Sequence, residues 1–288
     1  MDISLWPSNE RPWDELLGLA QWAEASGLHS LWYADHFMPN TPDDAPSDGL
    51  ALECWTVLAA VGALVPRITL TSMVSPVTIH HPVVLAKRVA TVDHITGGRA
   101  VLGIGAGWQV NEHTTYGFEL PAPGERVTRF ERAITTIHDL LHGAGPFSPR
   151  PASLPILVGT GAPRMLRITA KWADIWNVWG DPDTVAERTA TFLQACDAVE
   201  RDPSEVRRCA QALVFLTDSD EARDRLRANA PAGRSLVGGA SELVDLIGRY
   251  AEQGVDELAI PDFTLGRTAD DRAATLQRLR DEVLTAFL

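Results

Sequence analysis

The sequence predicts an α/β chain folded as one (β/α)8 TIM barrel spanning residues 1–288, with insertion loops at the C-terminal mouth. Three observations carry this expectation: eight short apolar or β-branched runs, helical repeats between them, and a length of 288 residues that suits a barrel plus loops. The runs are Ile3–Trp6, His29–Ala34, Ile68–Val74, Ala100–Ile104, Pro155–Gly159, Asp174–Val178, Ala210–Leu216 and Asp256–Ile260. Several are continuously apolar, as parallel strands covered on both faces should be. A doubly wound sheet would need fewer strands. Its dinucleotide fingerprint is also missing, because Trp108 stands where the last glycine of G-x-G-x-x-G would follow Gly103 and Gly105.

The helices announce themselves by period and punctuation. Leu16, Ala20 and Ala23 repeat at helical spacing between Pro12 and a stop at Gly27. Leu85, Val89 and Val92 repeat in the same way after His81-Pro82. Asp181-Pro182 and Asp202-Pro203 each set a capping carboxylate before a proline suited to the first helical position. Leu276, Leu279, Val283 and Phe287 form the last amphipathic stripe. The stretches Pro39–Ser47 and Gly143–Pro155 are rich in turn residues and read as loops rather than domain boundaries.

Composition removes several function classes. With 25 Lys+Arg against 38 Asp+Glu the chain carries a formal charge of −13, which argues against a duplex-binding surface. Only Lys87 and Lys171 are lysines, a bias that fits a GC-rich genome. Cys54, Cys196 and Cys209 have no metal-ligand spacing and one must stay unpaired, so the reading is a reducing cytoplasm. The chain opens on an apolar strand without a signal-peptide pattern, and no run of 18 apolar residues exists to span a membrane.

Chemistry in such a barrel collects at the C-terminal ends of the strands. After the second run, Asp35-His36-Phe37 offers a titratable imidazole, or a loop histidine satisfied by Asp35. After the third, Ser72-Met73-Val74-Ser75-Pro76 suits a bulge beside a planar ligand, or an ordinary strand exit. The fourth ends in Gly105-Ala106-Gly107-Trp108, followed by Asn111-Glu112-His113; these glycines admit either a ligand or a neighbouring strand. The fifth leads through Gly159-Thr160-Gly161-Ala162 into a helix near Pro163. Free N–H groups and the helix dipole there make an anion cradle, unless the glycines serve only the turn. There is no G-x-S-x-G elbow, and no H-E-x-x-H or H-x-x-E-H zinc motif. A metallohydrolase using His36 and His113 has no spacing to support it.

In combination and order, these segments resemble the bacterial luciferase-like monooxygenase family of flavin and deazaflavin oxidoreductases. The resemblance lies in Leu31–Phe37, Thr71–Pro76, Ala90–Arg99, Leu102–Trp108 with Asn111-Glu112-His113, Val158–Gly161 and Ala173–Asn177. It implies a barrel binding FMN or coenzyme F420, a deazaflavin, at its mouth, with hydride exchanged at the ring. The glycine run with Asn111-Glu112-His113 is most similar to the deazaflavin branch. By that resemblance Gly159, Thr160, Gly161 and Ala162 hold the phosphate, with Arg164 or Lys171 as counter-charge. Ser72-Met73 becomes a non-prolyl cis peptide supporting the ring, and His36 faces the reacting edge. Gly105, Gly107, Trp108 and Asn111 complete the expected cofactor contacts.

Two positions depart from the deazaflavin sugar-phosphate dehydrogenases of that family. Trp108 replaces a catalytic glutamate, and Asn40 replaces a tryptophan four residues after the histidine. Glu112 is the nearby carboxylate that could take over, or else a structural ion-pair member. The expectation is therefore a cytoplasmic, homodimeric deazaflavin-dependent oxidoreductase with His36 and Glu112 as catalytic residues. It would act on a small organic substrate, shaped by the segments Gly107–Pro155 and Asp218–Gly239. The alternatives are an FMN-dependent monooxygenase served by a separate reductase, and a cofactor-binding protein without turnover.

Overall fold

In the computed structural model, which describes residues 1–143 and 145–288, the eight expected strands close into a parallel barrel. The strands are β1 (Asp2–Trp6), β2 (Ser30–Tyr33), β3 (Thr69–Ser72), β4 (Ser75–Pro76), β5 (Ala100–Gly105), β6 (Ile156–Gly159), β7 (Ile175–Trp179), β8 (Arg207–Gln211), β9 (Leu213–Leu216), β10 (Ser235–Gly238) and β11 (Glu257–Pro261). β3 and β4 are two pieces of one strand, and both pair with β5. Around the barrel the order runs β3, β2, β1, β11, β8, β7, β6, β5, with the β3–β5 pairing closing the ring.

Between the strands lie α1 (Trp13–Ala25), α2 (Cys54–Leu64), α3 (Pro82–Thr96), α4 (Val110–Tyr116), α5 (Pro123–His142), α6 (Pro163–Trp172), α7 (Pro182–Asp197), α8 (Asp220–Asn229), α9 (Ala240–Glu252) and α10 (Ala269–Glu282). Their ends follow the punctuation. Asp181 accepts the Thr184 N–H at 2.9 Å and Pro182 opens α7, while Gly97, with φ of 70°, closes α3. Among the described residues no helix is long and apolar enough to cross a membrane.

Four expectations are corrected. The run Ala210–Leu216 is two strands: β8 starts earlier, at Arg207, and β9 leaves the barrel to pair with β10. Asp202-Pro203 caps only a 3-10 turn, Pro203–Glu205, because Val206 leads at once into β8. Gly107–Pro155 is not one loop; it holds α4 and α5, and of the loop Gly143–Pro155 residue 144 lies outside the described residues. At the C-terminus, Leu276 and Leu279 lie on α10, but Val283 leaves helical geometry and Phe287 follows a separate 3-10 turn.

Strand alternation sorts the core into two shells. Leu31, Leu70, Leu102 and Val158 face the helices, whereas Trp32, Met73, Val101, Leu157 and Ile175 point into the barrel. The barrel floor is polar. Glu257 is buried and accepts hydrogen bonds from Ser4 Oγ at 2.6 Å and Trp32 Nε1 at 2.8 Å. Those donors satisfy one carboxylate oxygen, and the Arg207 guanidinium lies 3.9 Å from the other. The floor fills the lower barrel and leaves the upper end open.

Candidate active site

A cavity of about 880 Å³ occupies the C-terminal mouth. At its β2 side, His36 Nδ1 lies 2.9 Å from Glu112 Oε1, and Glu112 Oε2 accepts the Phe37 N–H at 2.8 Å. Glu112 is fully buried on α4, whereas the His36 side chain remains 18% exposed to the cavity. A carboxylate only accepts, so the proton of this bond sits on His36 Nδ1, and Nε2 is the ring nitrogen without a partner among the described residues. Trp108 stands edge-on to the His36 ring at 5.5 Å, which limits the imidazole from a second side.

Behind His36 lies a second buried carboxylate. Asp35 Oδ2 accepts from Ser75 Oγ at 2.5 Å and from His80 Nε2 at 2.9 Å, and Ser75 Oγ in turn accepts from Trp55 Nε1. Burial alone would push the Asp35 carboxyl up. The charge and hydrogen bond of His80, the Ser75 bond and the charge of His36 outweigh it and hold the carboxyl below its ordinary value. This network ties the exit of β2 to β4. The loop reading of His36 as a residue satisfied by Asp35 is thus replaced: Asp35 engages His80, and His36 engages Glu112.

The interruption between β3 and β4 is the expected bulge, one residue displaced. The cis peptide is Met73–Val74, not Ser72–Met73. Ser72 does not reach the cavity. Its hydroxyl donates to Gly103 O and accepts from Gly103 N, each at 3.0 Å, and so bridges β3 to β5 where backbone pairing lapses. Met73 lines the cavity instead. The bulge also explains the glycine run. A Cβ at Gly103 would lie 1.8 Å from Ser72 O, and one at Gly105 would lie 2.6 Å from Val74 Cγ2. Those two glycines admit the neighbouring strand, although Gly105 and Gly107 also line the mouth.

Across the barrel, Gly159, Thr160 and Gly161 line the cavity where β6 turns into α6. Ala162 caps α6 without a side-chain cap and Pro163 follows, so the first turn presents backbone N–H groups to solvent. The cation beside them is Arg188 from α7, whose Nη1 lies 3.1 Å from where a Gly161 Cβ would be. It has no ion-pair or hydrogen-bond partner among the described residues. Arg164 and Lys171, expected in this place, are turned elsewhere: Arg164 pairs with Glu131 at 3.2 Å and Lys171 lies over the Trp172 ring. Helix α6 carries both on faces that pack towards α5 or solvent.

Four buried polar atoms on cavity-lining residues lack hydrogen-bond partners among the described residues: Trp6 Nε1, Asn9 Nδ2, Asn177 Oδ1 and Gln211 Oε1. Trp6 and Gln211 end β1 and β8, Asn177 lies mid-way along β7, and Asn9 follows β1. Buried orphans are uncommon because each forfeits its bond to water. Ligands with their own donors and acceptors would satisfy such groups, and the cradle and the volume fit a phosphorylated cofactor with room beside it.

Comparison with known proteins places this geometry. The sequence profile of the luciferase-like monooxygenases matches residues 1–287. The chain belongs to the luciferase-like monooxygenase family. Within curated proteins it is 30% identical over 237 residues to an F420-dependent glucose-6-phosphate dehydrogenase of Microbacterium testaceum, covering 76% of this chain and 69% of that one. It is 26% identical to an F420-dependent hydroxymycolic acid dehydrogenase of Mycobacterium tuberculosis, covering 96% and 78%. In fold it is similar to a solved F420-dependent secondary alcohol dehydrogenase in complex with an F420-acetone adduct, with a TM-score of 0.82, 17% identity and 98% of each chain covered.

Of the site residues expected for a family member, His36, Met73, Gly105, Gly107, Trp108, Glu112, Gly159, Thr160 and Gly161 meet at one cavity. Ser72, Asn111 and Ala162 do not line it. Asn111 is buried on the far side of α4, where its Nδ2 donates to Pro39 O and Ala45 O and pins the Pro39–Ser47 loop. His113 spends both ring nitrogens on Gln109 O and Thr78 Oγ1, at 2.6 and 2.7 Å. The segment Asp218–Gly239 contributes no cavity-lining residue among those described, because α8 and β10 lie outside the barrel. Arg188, Asn177 and Gln211 were not legible in advance. The only local signal was alternation, which turns Asn177 and Gln211 inward on their strands.

Proposed function

We propose that this chain is a deazaflavin-dependent oxidoreductase that exchanges a hydride between coenzyme F420 and a small organic substrate. The observation that carries the reading is the His36–Glu112 pair opening onto a cavity whose opposite side holds an anion cradle. The F420-dependent relatives support the deazaflavin over FMN. When bound, the deazaflavin supplies the hydride chemistry at its ring carbon C5.

The rest falls to side chains of this chain. Gly161, the first turn of α6 and Arg188 would hold the phosphate, because exposed N–H groups and an unpaired guanidinium suit a phosphate anion. Met73, at the bulge that lines the cavity, would support the ring. His36 Nε2 takes the substrate's proton as hydride leaves, and returns it in the reverse direction. Glu112 holds the Nδ1–H tautomer and balances the imidazolium. Glu112 thereby covers the work of the acid that Trp108 displaces.

Two copies of the chain are proposed to pair through the outer face of α2 and α3, where the exposed Val83, Val84 and Ile95 line one shallow depression. A reductase that recycles the cofactor completes the proposed partners. The experiment is spectroscopic: loss of oxidised deazaflavin absorbance on adding substrate supports the reading, and turnover with FMN and oxygen alone would refute it.

A further inference from the structure

The mouth divides by topology into two halves. The cradle lies at β6 and the bulge at β3, so a ring whose phosphate sits in the cradle covers the β3–β5–β6 side. The β7–β8–β11–β1 side then remains for substrate, with His36 on β2 at the border. That free side is aromatic. Trp6 meets Trp179 at 5.6 Å and Phe263 edge-on at 5.2 Å, and Phe263 is 44% exposed.

The charges of this side are already spent. Arg11 is its cation, and it forms a two-pronged pair with the fully buried Asp262, Nε to Oδ2 at 2.9 Å and Nη2 to Oδ1 at 3.3 Å. Glu15 approaches the same Nε at 3.7 Å. Glu10 adds an exposed carboxylate at the rim. Arg234 lies over the Trp179 ring at 5.7 Å but is not part of the cavity wall. Arg234 has no ion-pair partner among the described residues but stands outside the wall, so an anionic substrate inside the cavity would lose water while the wall's own cation on this side, Arg11, stays paired, which is costly. An uncharged ring would gain three aromatic faces or edges.

Resting on the function proposed above, we infer that the substrate is an uncharged, ring-bearing alcohol or the matching carbonyl compound, not a sugar phosphate. In the oxidative direction the carbinol C–H bond gives its hydride to the deazaflavin. The O–H proton passes to His36 Nε2, and the C–O bond becomes C=O. Trp6, Trp179 and Phe263 are the specificity-determining residues.

The test is calorimetric titration of the deazaflavin-loaded protein with acetophenone, benzoate and glucose 6-phosphate, in the wild type and in Phe263→Ala. Acetophenone should bind about tenfold or more tightly than either anion. Phe263→Ala, at an exposed position, should weaken acetophenone about fivefold and leave deazaflavin affinity unchanged. Equal or tighter binding of benzoate or glucose 6-phosphate would overturn the inference, as would failure of acetophenone to bind or indifference to Phe263→Ala. If the protein takes up no deazaflavin, the function proposed above fails by itself. The same titrations on the unloaded protein, whose aromatic side is complete without cofactor, still decide the substrate class.

Discussion

His36 and Glu112, 76 residues apart in sequence, meet through a 2.9 Å Nδ1···Oε1 hydrogen bond at the rim of the barrel. The bond fixes which imidazole nitrogen is free. Removing the charge of Glu112 while keeping its size should therefore act on the chemical step. Glu112→Gln is expected to lower turnover about 10²-fold with little change in deazaflavin affinity, and His36→Ala to do at least as much. Because the two act as a unit, the double variant should be scarcely slower than His36→Ala alone. Single-turnover kinetics on the three variants check this.

Arg188 is the second point of leverage. Arg188→Gln should weaken F420 about tenfold, a loss in the range of one charge-assisted hydrogen bond. Affinity for the phosphate-free deazaflavin should be unchanged, and the salt dependence of F420 binding should shrink. Equal losses for both ligands would remove Arg188 from the phosphate site.

The Asp35–His80 pair predicts a pH signature in stability. The native Asp35 carboxyl lies below its ordinary value, so the native state binds that proton less readily than the unfolded chain does. The stabilisation is thus complete above the ordinary carboxylate range and is lost as pH falls through the lowered native value. Asp35→Asn should cost about 3 kcal/mol near pH 7, since it leaves His80 without its buried counter-charge. The gap from wild type should hold at neutral pH and narrow below about pH 4 in denaturant melts.

Gly103 tests the account of the bulge. Its missing Cβ is the space through which Ser72 reaches β5. Gly103→Ala should destabilise the fold by about 2–3 kcal/mol through overpacking. Gly18→Ala, at a helical site with nothing within 4 Å of the added Cβ, should be neutral or stabilising. Chemical denaturation separates the two.

These relationships were legible in the sequence to different depths. Strands such as Ile3–Trp6 and caps such as Asp181-Pro182 are local statements, written by alternation and by φ preference, and the barrel followed from their count. Beyond that, the register of β8 was hidden because Arg207 and Arg208 open a strand with polar residues. Arg207 pairs with Asp2 at 2.8 Å at the lower end of the barrel, a partner 205 residues away. The run Ala210–Leu216 likewise concealed a change of sheet, since only Ala212 separates the end of β8 at Gln211 from the start of β9 at Leu213 and no turn residue marks the break. The cradle backbone could be read from Gly159–Ala162, but its cation could not. Arg188 reaches Gly161 only through the packing of α7 on α6, for which no short-range pattern exists. The glycine run was visible as a need for close approach, while the partner in that approach, the β3 bulge, emerged only in three dimensions.

The central claim is that this mouth is built for a deazaflavin. Equilibrium titration of the purified protein with F420 and, separately, with FMN, followed by absorbance and fluorescence, tests it most directly. The account predicts micromolar or tighter binding of F420 and at least about tenfold weaker binding of FMN. Micromolar binding of FMN with none of F420 would contradict it.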